Sequence, residues 1–400
     1  MELTGIREKC VRVFQFPSMQ KTAYAILVLL FVILWFQTLH RASRLEGYDL
    51  DTYLLSAQSL LQGKSPYILE IQFPYLYPLF LSVVLIPATW IPSTLVHFFW
   101  YFLNWCCLLV AISLWLRLMT RHLPLAEMRM MVFPLSMLLL VFLSPLHNHL
   151  TNGQINLVVL LCCMLFLYFL LHQENDPLSA IFLALAISIK IMPIVFAGFL
   201  LFRRRYACIA CTVLFTILCC LILPYPFFGS DLWGVYDQYI RILVEQNLNP
   251  SASSGIEQYD YSLAGFIEAR LVRHPAPPVL LSVGTLLLLT LVLELVLNTR
   301  KADLWVVNHY FLLMLLLSPV SSPHHLVFLY PAIVLWMVTI LYEPRQFMVV
   351  HSILFALFIL LHLCSKGLSR ELYFPSLILL EGVILWNVKK REKMAWKAEG

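Results

Sequence analysis

The sequence predicts an all-α, polytopic membrane protein built as a helical bundle. Of its 400 residues, 61% are hydrophobic and only 12% are charged, and the mean hydropathy is +0.82. Charged residues make up about a quarter of an ordinary soluble domain. The second observation is a series of apolar runs long enough, or nearly so, to cross about 30 Å of hydrocarbon. These two features exclude disordered, collagen-like and nucleic-acid-binding proteins.

The apolar runs predict about eleven to thirteen transmembrane helices. They lie at 22–39, 76–91, 95–116, 130–144, 154–171, 178–202, 206–224, 277–297, 304–318, 325–342, 347–363 and 373–388. The number of crossings between residues 76 and 202 stays open, because run 76–91 is short and proline-rich and run 178–202 is interrupted at Lys190 to Pro193. A broken helix is tolerated in a membrane where protein or a water-filled cavity satisfies its backbone.

Basic residues set the expected orientation, because cytoplasmic segments carry an excess of Lys and Arg. The N-terminus, Arg203 to Arg205 and the tail 389–400 are basic, so both termini are expected in the cytoplasm. An outer loop at about 40–75 and a larger one at about 225–276 then face outside. The whole chain, 1–400, is expected to form a single transmembrane domain.

Two further segment types have plain interpretations. The N-terminal apolar run is too long for the hydrophobic part of a signal peptide and no A-x-A site follows, which indicates an uncleaved first span. Most of the ten cysteines fall inside or beside apolar runs. Since no second Cys/His set follows at zinc-site spacing, we expect no metal site.

The first outer loop contains an amphipathic helix with an acid at its start. Apolar residues recur there at helical spacing. They are Leu50, Tyr53, Leu54, Ala57, Leu60 and Leu61. Asp49 therefore begins a helix that lies on the outer membrane surface and ends at Gly63. Two roles for Asp49 stay open, the N-cap of this helix and a general base at the rim of a cavity.

Polar groups also occur at the ends of apolar runs. Gln154 and Asn156 enter a helix after an Asn152-Gly153 turn, and each amide needs a partner, either in a neighbouring helix or in a site. His324 and His325 open another span, and two adjacent side chains cannot point the same way on a helix. This predicts that one histidine reaches a cavity.

Lys190 is the most informative residue, because a lysine within a transmembrane run costs about 2.5–3.5 kcal/mol on insertion scales. No acid within run 178–202 can pair with it. An anionic ligand such as a lipid phosphate would satisfy it. The alternative is a lysine that snorkels from a half-helix end to the interface.

Five short stretches occur in an order that is informative as a whole. They consist of Asp49, Tyr53, Ala57, Leu61, Gly63, Pro66 and Tyr67; Gly153, Gln154 and Asn156; Lys190, Pro193 and Arg203 to Arg205; Ser262, Leu263, Gly265 and Arg270; and Ser318, Pro319, His324 and His325. In this order the sequence resembles glycosyltransferase family 87, membrane mannosyltransferase-type enzymes of the GT-C superfamily that use polyprenyl-phosphate sugars. Members often have Asn-Gln where this chain has Asp260-Tyr261, a departure that concerns acceptor or sugar preference.

The resemblance implies a GT-C type bundle with amphipathic helices on the outer face. It further implies inverting transfer of a hexose, with mannose as the expected sugar, from a polyprenyl-phosphate sugar to a glycolipid or glycan on the outer face. Asp49 would be the base, and Asp51 is a second candidate acid beside it. The implied substrate-binding residues are Tyr53, Tyr67, Gln154, Asn156, Lys190, Ser262, Arg270, His324 and His325. No cofactor, metal or nucleic acid is expected, membrane lipid is the remaining partner, and the location is a bacterial inner (plasma) membrane.

Two functions other than that of an enzyme are alternatives for this chain. A secondary transporter or flippase would also need Lys190 in a cavity beside broken helices, and it predicts inverted repeats with paired charges in both halves. The sequence shows neither. A non-catalytic protein that only binds a lipid-linked sugar is the second alternative, and the Asp260-Tyr261 departure leaves it open.

Overall fold

The computed structural model describes residues 17–42, 49–69, 74–120, 145–248, 304–318, 322–342, 345–367 and 373–399, with residues 263, 284, 285, 287, 290 and 294 as isolated positions. Every regular element in these ranges is helical, which confirms the all-α prediction. Two helical stretches there, Ser93–Met119 and the interrupted Tyr206–Leu243, are long and apolar enough to cross a membrane by length and composition. The number of crossings and the GT-C fold remain predictions.

The helices of the described residues are numbered here in chain order. They are α1 (Pro17–Ala42), α2 (Asp49–Leu61), α3 (Leu79–Leu85), α4 (Ser93–Thr120), α5 (Pro145–Thr151), α6 (Asn156–Leu171), α7 (Asp176–Ile189), α8 (Val195–Phe202), α9 (Tyr206–Ile217), α10 (Tyr225–Phe228), α11 (Leu232–Leu248), α12 (Leu304–Leu316), α13 (Tyr330–Tyr342), α14 (Arg345–Gly367) and α15 (Tyr373–Glu399). Short 3-10 turns at Pro66–Ile68, Ile86–Trp90, Met192–Ile194 and Pro323–Leu329 separate or extend some of them.

The predicted amphipathic helix of the first outer loop is confirmed as α2. It buries Leu50, Tyr53 and Ala57 completely, and its acidic residues Asp49 and Asp51 lie in the first turn, as the helix dipole favours. The chain leaves α2 through Gly63, whose φ of +67° lies in the left-handed region that favours glycine. The buried stripe anchors Asp49 against the rest of the bundle.

The predicted break in run 178–202 is also confirmed. Helix α7 ends at Ile189, and Lys190 adopts an extended conformation with φ −151° and ψ 129°. A 3-10 turn containing Pro193 follows before α8 begins. Proline lacks an N–H and its ring clashes with the carbonyl group four residues earlier, here that of Ile189, so the local sequence stops α7 here. The lysine side chain thereby leaves from a helix end.

Helix α12 lies at the centre of the bundle, because all of its residues from Leu304 to Leu316 are buried. It nevertheless carries polar residues that are matched by groups from other segments. We call this set the α12 cluster: Arg203, Glu294, His309, Tyr310 and Glu381. Glu294 accepts a hydrogen bond from Tyr310 Oη at 2.7 Å and pairs with Arg203 at 3.4 Å, and His309 Nδ1 lies 2.6 Å from Glu381 Oε1. Polar contacts therefore join α12 to α15 and, through Glu294, to the end of α8.

The functional site forms where several chain breaks converge. Helix α6 packs between α4 and α7, and α5 packs against the 3-10 turn Pro323–Leu329. These contacts bring the start of α2, the turn before α6, the Lys190 break and the His325 segment together. Predicted runs 130–144 and 277–297 lie wholly or mostly outside the described residues, and so does the second half of the predicted 225–276 loop.

Candidate active site

Asp49 is fixed by the turn that precedes α6. Its backbone N–H donates to the carbonyl oxygen of Asn152 at 2.8 Å, and its carboxylate Oδ2 accepts a hydrogen bond from Gln154 Nε2. Gly153 between them has a φ of +65°, so the predicted Asn152-Gly153 turn is confirmed. The indole of Trp100 donates to the Gly153 carbonyl at 2.9 Å, which secures the turn to α4.

Two tyrosines set the orientation of the Gln154 amide. Tyr77 Oη donates to Gln154 Oε1 at 3.2 Å, and Tyr53 Oη donates to Tyr77 Oη at 2.9 Å. Because the amide oxygen is held by phenols, the amide nitrogen faces Asp49. Burial, the neighbouring Tyr77 and the charge of Asp49 raise the pKa of Tyr53, so this phenol remains a neutral donor.

Lys190 is held by two side chains from distant parts of the chain. Its Nζ lies 2.9 Å from Asn156 Oδ1 and 2.7 Å from His325 Nε2. It also lies 5.3 Å from the centroid of the Tyr77 ring, a distance at which a cation and an aromatic face attract each other. Tyr77 therefore contacts both the Asp49 side and the Lys190 side of the site.

His325 has a defined hydrogen-bonding pattern. Its Nδ1 accepts the backbone N–H of Ser322 at 3.0 Å, so neutral His325 carries its proton on Nε2. Nε2 of His325 and Nζ of Lys190 are then two nitrogen donors that face each other at 2.7 Å. The Asn156 amide also donates to the backbone oxygen of His324 at 3.3 Å, which ties the Lys190 break to this segment. The His324 ring packs edge-on against that of His325, with centroids 4.4 Å apart.

These side chains form what we call the Lys190 cluster: Asp49, Tyr53, Tyr77, Gln154, Asn156, Lys190 and His325. Asp49 lies close enough to Lys190 for the two charges to attract each other. The cluster thus places a carboxylate near a lysine and a histidine, with an amide and a phenol between them. A carboxylate can accept a proton, and a lysine beside a histidine can bind a phosphate.

The other predicted site residues lie elsewhere or outside the described residues. Asp51 Oδ1 lies 2.9 Å from His97 Nε2 on α4. Tyr67 donates to the backbone oxygen of Tyr77 at 2.9 Å and stacks on Tyr239 of α11 with ring centroids 4.9 Å apart. Ser262 and Arg270 fall outside the described residues. Within those residues, no group of three His, Cys, Asp or Glu side chains is placed to hold a metal ion.

Tyr77 is a site residue that the sequence did not reveal. It stands in the stretch Pro74-Tyr75-Leu76-Tyr77-Pro78, where either tyrosine could have been chosen. The neighbouring Tyr75 donates to the Pro78 carbonyl at 2.9 Å instead. In the sequence, Tyr77 is recognisable only as a polar aromatic residue between prolines just before an apolar run. This pattern is too common to indicate a site.

The sequence matches a known protein family over more than half of its length. The model of glycosyltransferase family 87 matches residues 75–323, more than half of the chain. The chain belongs to this family. That range contains Tyr77, Gln154, Asn156 and Lys190 of the cluster.

Two curated relatives were also found, each described as a polyprenol-phosphate-mannose-dependent alpha-(1-2)-phosphatidylinositol pentamannoside mannosyltransferase. The protein from Mycolicibacterium smegmatis (strain ATCC 700084 / mc(2)155) is 26% identical over 275 residues, which cover 67% of this chain and 62% of the relative. That from Mycobacterium tuberculosis (strain CDC 1551 / Oshkosh) is 26% identical over 279 residues, covering 67% and 59%. The chain thus spans about three-fifths of the length of these relatives. No solved structure matches it.

Proposed function

We propose that this family 87 protein is an integral membrane glycosyltransferase. It moves a hexose, with mannose as the expected sugar, from a polyprenyl-phosphate sugar to a glycolipid or glycan on the outer face of the membrane. The observation that carries the proposal is the single cluster in which Tyr77 contacts both Gln154, the partner of Asp49, and Lys190. The relatives' names supply the donor, and their phosphatidylinositol mannoside acceptor supports the glycolipid class. The basic termini support a cytoplasmic location for both ends, and the family supports a bacterial plasma membrane.

The reaction is a single displacement. The acceptor hydroxyl oxygen forms a bond to the anomeric carbon of the donor sugar, and Asp49 takes the hydroxyl proton. The bond from that carbon to the phosphate oxygen breaks, and its electron pair leaves with polyprenyl phosphate. Lys190 lies on the leaving-group side, where its charge offsets the charge that develops on the phosphate oxygen. A lipid phosphate is already a leaving group, so the proposal requires no nucleotide and no metal.

The hydrogen bonds of the cluster support these roles. Gln154 holds the Asp49 carboxylate in one orientation, and positioning of a reacting group lowers the barrier by supplying the correct geometry in advance. Asn156 and His325 hold Lys190 at the end of α7. The two halves of the site are therefore rigidly placed on helix ends before the substrates arrive.

The stereochemical part of the proposal is inversion. A retaining enzyme of the double-displacement type needs a second carboxylate as nucleophile close to the first. Asp51, the nearest acid in the sequence, contacts His97 on α4 rather than the cluster. One base suffices for direct attack, which inverts the anomeric carbon.

The experiment is sugar transfer by purified protein in lipid nanodiscs, with labelled polyprenyl-phosphate mannose and a pool of lipid-glycan acceptors. Wild type is compared with Asp49→Asn and with the matched control Asp51→Asn. We expect transfer by wild type, a loss of roughly 10²–10⁴-fold in Asp49→Asn because a general base is removed, and near-normal transfer by Asp51→Asn.

Other outcomes would change the proposal in defined ways. Full activity of Asp49→Asn would refute its role as base, and a selective loss in Asp51→Asn would assign the base to Asp51. Donor binding without transfer by wild type would refute the enzyme and favour a protein that only binds lipid-linked sugar. Donor binding by each variant, measured in the same nanodiscs, checks that the substitution has not unfolded the protein.

A further inference from the structure

Trp100 on α4 holds the turn that carries the hydrogen-bond partners of Asp49. Trp100 is buried, and its indole N–H donates to the backbone oxygen of Gly153 at 2.9 Å. Gly153 stands between Asn152 and Gln154. The Asn152 carbonyl accepts the Asp49 N–H at 2.8 Å, and the Gln154 amide donates to the Asp49 carboxylate. Trp100 therefore bonds to the residue that links both of these partners of the proposed base.

The turn is the C-terminal cap of α5. The N–H of Gln154 donates to the carbonyl of His149 at 3.1 Å, and the N–H of Gly153 donates to that of Leu150 at 3.2 Å. These two bonds form a Schellman cap, in which Gly153 is the left-handed residue with a φ of +65°. The cap satisfies the N–H of the peptide group between Gly153 and Gln154. Its carbonyl oxygen remains an acceptor that needs a donor from elsewhere.

The peptide group between Gly153 and Gln154 is thus held at both ends. The His149 carbonyl binds its N–H, and the Trp100 indole binds its oxygen. Rotation of this peptide group would move the Cα of Gln154 and with it the side chain that reaches Asp49. Glycine has the freest backbone of all residues, so the turn can move most easily at Gly153. The bond from Trp100 removes that freedom.

Helix α4 is a rigid support for this bond. It is a regular helix of 28 residues, and α6, which follows the turn, packs against it. The Trp100 ring also lies beside that of Tyr53 on α2, with centroids 6.2 Å apart. A functional group held by a residue on a regular helix is placed more precisely than one held by a loop alone.

We propose that Trp100 is a positioning residue for the base, and that its hydrogen bond to Gly153 keeps Gln154 in the orientation that holds the Asp49 carboxylate. This inference rests on the proposed function. It assigns a role to a residue outside the five stretches that carried the family resemblance. Loss of the bond should act on kcat, because a misplaced base slows proton transfer while the Lys190 side of the site is unchanged.

The test compares three altered proteins. Trp100→Phe removes the donor and keeps an aromatic ring. Trp115→Phe is the matched control on the same helix, because Trp115 is fully buried and its indole nitrogen has no hydrogen-bond partner in the described part of the chain. The third protein carries benzothienylalanine at position 100. In this residue sulfur replaces the indole N–H and the shape is nearly the same, so the packing of α4 is kept.

Transfer rates in nanodiscs measure the effect. We expect kcat to fall about tenfold in Trp100→Phe and in the benzothienylalanine protein, the effect of one neutral hydrogen bond. The KM for the polyprenyl-phosphate donor should be unchanged, and Trp115→Phe should behave as wild type. In an Asp49→Asn background, Trp100→Phe should lower the residual single-turnover rate no further, because residues that act as a unit are not additive.

Three results would overturn the inference. Equal losses in Trp100→Phe and Trp115→Phe, or a higher donor KM with an unchanged kcat, would indicate a general effect on packing. A full further loss in the Asp49→Asn background would show that Trp100 acts independently of Asp49. Each result leaves the proposed function intact, provided that wild type transfers mannose and Asp49→Asn does not.

Failure of the proposed function gives a different pattern. Full activity of Asp49→Asn would refute the base, and the role of Trp100 with it. Failure of wild type to transfer any sugar, with intact donor binding, would refute the enzyme and the role of Trp100 together.

Discussion

The bundle contains two buried polar clusters that are built in different ways. In the α12 cluster, acids meet an arginine and a histidine, and Glu294 also accepts from a tyrosine. In the Lys190 cluster, lysine contacts histidine, and each of these two groups is basic. Buried charges need counter-charges or hydrogen bonds. In the α12 cluster an acid and an arginine contact each other directly. In the Lys190 cluster Asp49 bonds to Gln154, and Lys190 contacts Asn156 and His325, which suits an anion that arrives from outside.

The backbone around the two clusters also differs, because one cluster is built on a regular helix and the other on helix ends and turns. His309 and Tyr310 belong to a regular helix that is buried along its length. The groups of the Lys190 cluster leave from the start of α2, the turn before α6, the end of α7 and a 3-10 turn. Irregular backbone at membrane depth is found where it lines a cavity or is buried in protein. In this chain the polar residues of the candidate site therefore lie at helix breaks, whereas His309 and Tyr310 of the α12 cluster lie within a regular helix.

The largest expected effect tests the structural character of the α12 cluster. Arg203→Gln should lower the free energy of unfolding by about 3–5 kcal/mol, because it leaves a buried acid without its cation. Arg205→Gln is a matched control: each arginine lies 3.4 Å from an acid, but the Arg203 pair is 6% and 2% exposed and the Arg205 pair is 41% and 23% exposed. An exposed pair contributes at most about 1 kcal/mol.

Denaturation of both variants in detergent would measure this difference. Equal loss of stability in the two variants would contradict the distinction between a buried and an exposed pair. A selective loss of donor affinity in Arg203→Gln, without a loss of stability, would give the α12 cluster a role in binding.

The next effect concerns the anion that the Lys190 cluster is proposed to bind. Lys190→Met should raise the KM for the polyprenyl-phosphate donor by roughly 10–100-fold, since a hydrogen bond to a charged group is worth about 1.5–3 kcal/mol. The KM for the acceptor should change little. Lys64→Met, which removes an exposed lysine just after α2, should leave both constants unchanged.

Steady-state transfer at varied donor and acceptor concentrations measures both constants. An equal rise in the two KM values would argue against a contact between Lys190 and the phosphate. Lost stability in Lys190→Met would mean that this lysine is a structural element like Arg203.

The smallest effect tests the hydrogen-bond chain to the base. Tyr77→Phe removes the donor that holds Gln154 Oε1, so Gln154 can turn away from Asp49 and kcat should fall about five- to tenfold, the worth of about one neutral hydrogen bond. Tyr75→Phe is the matched control, because its hydroxyl bonds to the Pro78 carbonyl and not to the cluster.

Single-turnover rates of transfer would compare the two phenylalanine variants. A similar rate for Tyr77→Phe and Tyr75→Phe would show that Tyr77 does not position the base. Rescue of Tyr77→Phe by a higher acceptor concentration would indicate that the phenol binds acceptor instead.

Local features of the sequence determined much of this protein. Composition predicted an all-helical membrane chain, apolar periodicity predicted that Asp49 begins an amphipathic helix, and Pro193 marked the break at Lys190. These inferences succeeded because hydrophobicity, helical period and proline chemistry act over a few residues. The family resemblance added the idea that these segments meet at one site.

Tertiary structure decided which side chains meet. Lys190 and His325 are 135 residues apart in the sequence, and Asp49 and Gln154 are 105 residues apart. The resemblance favoured Asp49 as the base and kept the nearby Asp51 as a second candidate, and only packing directs one to Gln154 and the other to His97. The role of Tyr77 became visible in the same way. A hydrogen bond requires a donor–acceptor distance correct to a few tenths of an ångström and a favourable angle. Helix packing sets both quantities between segments far apart in the chain.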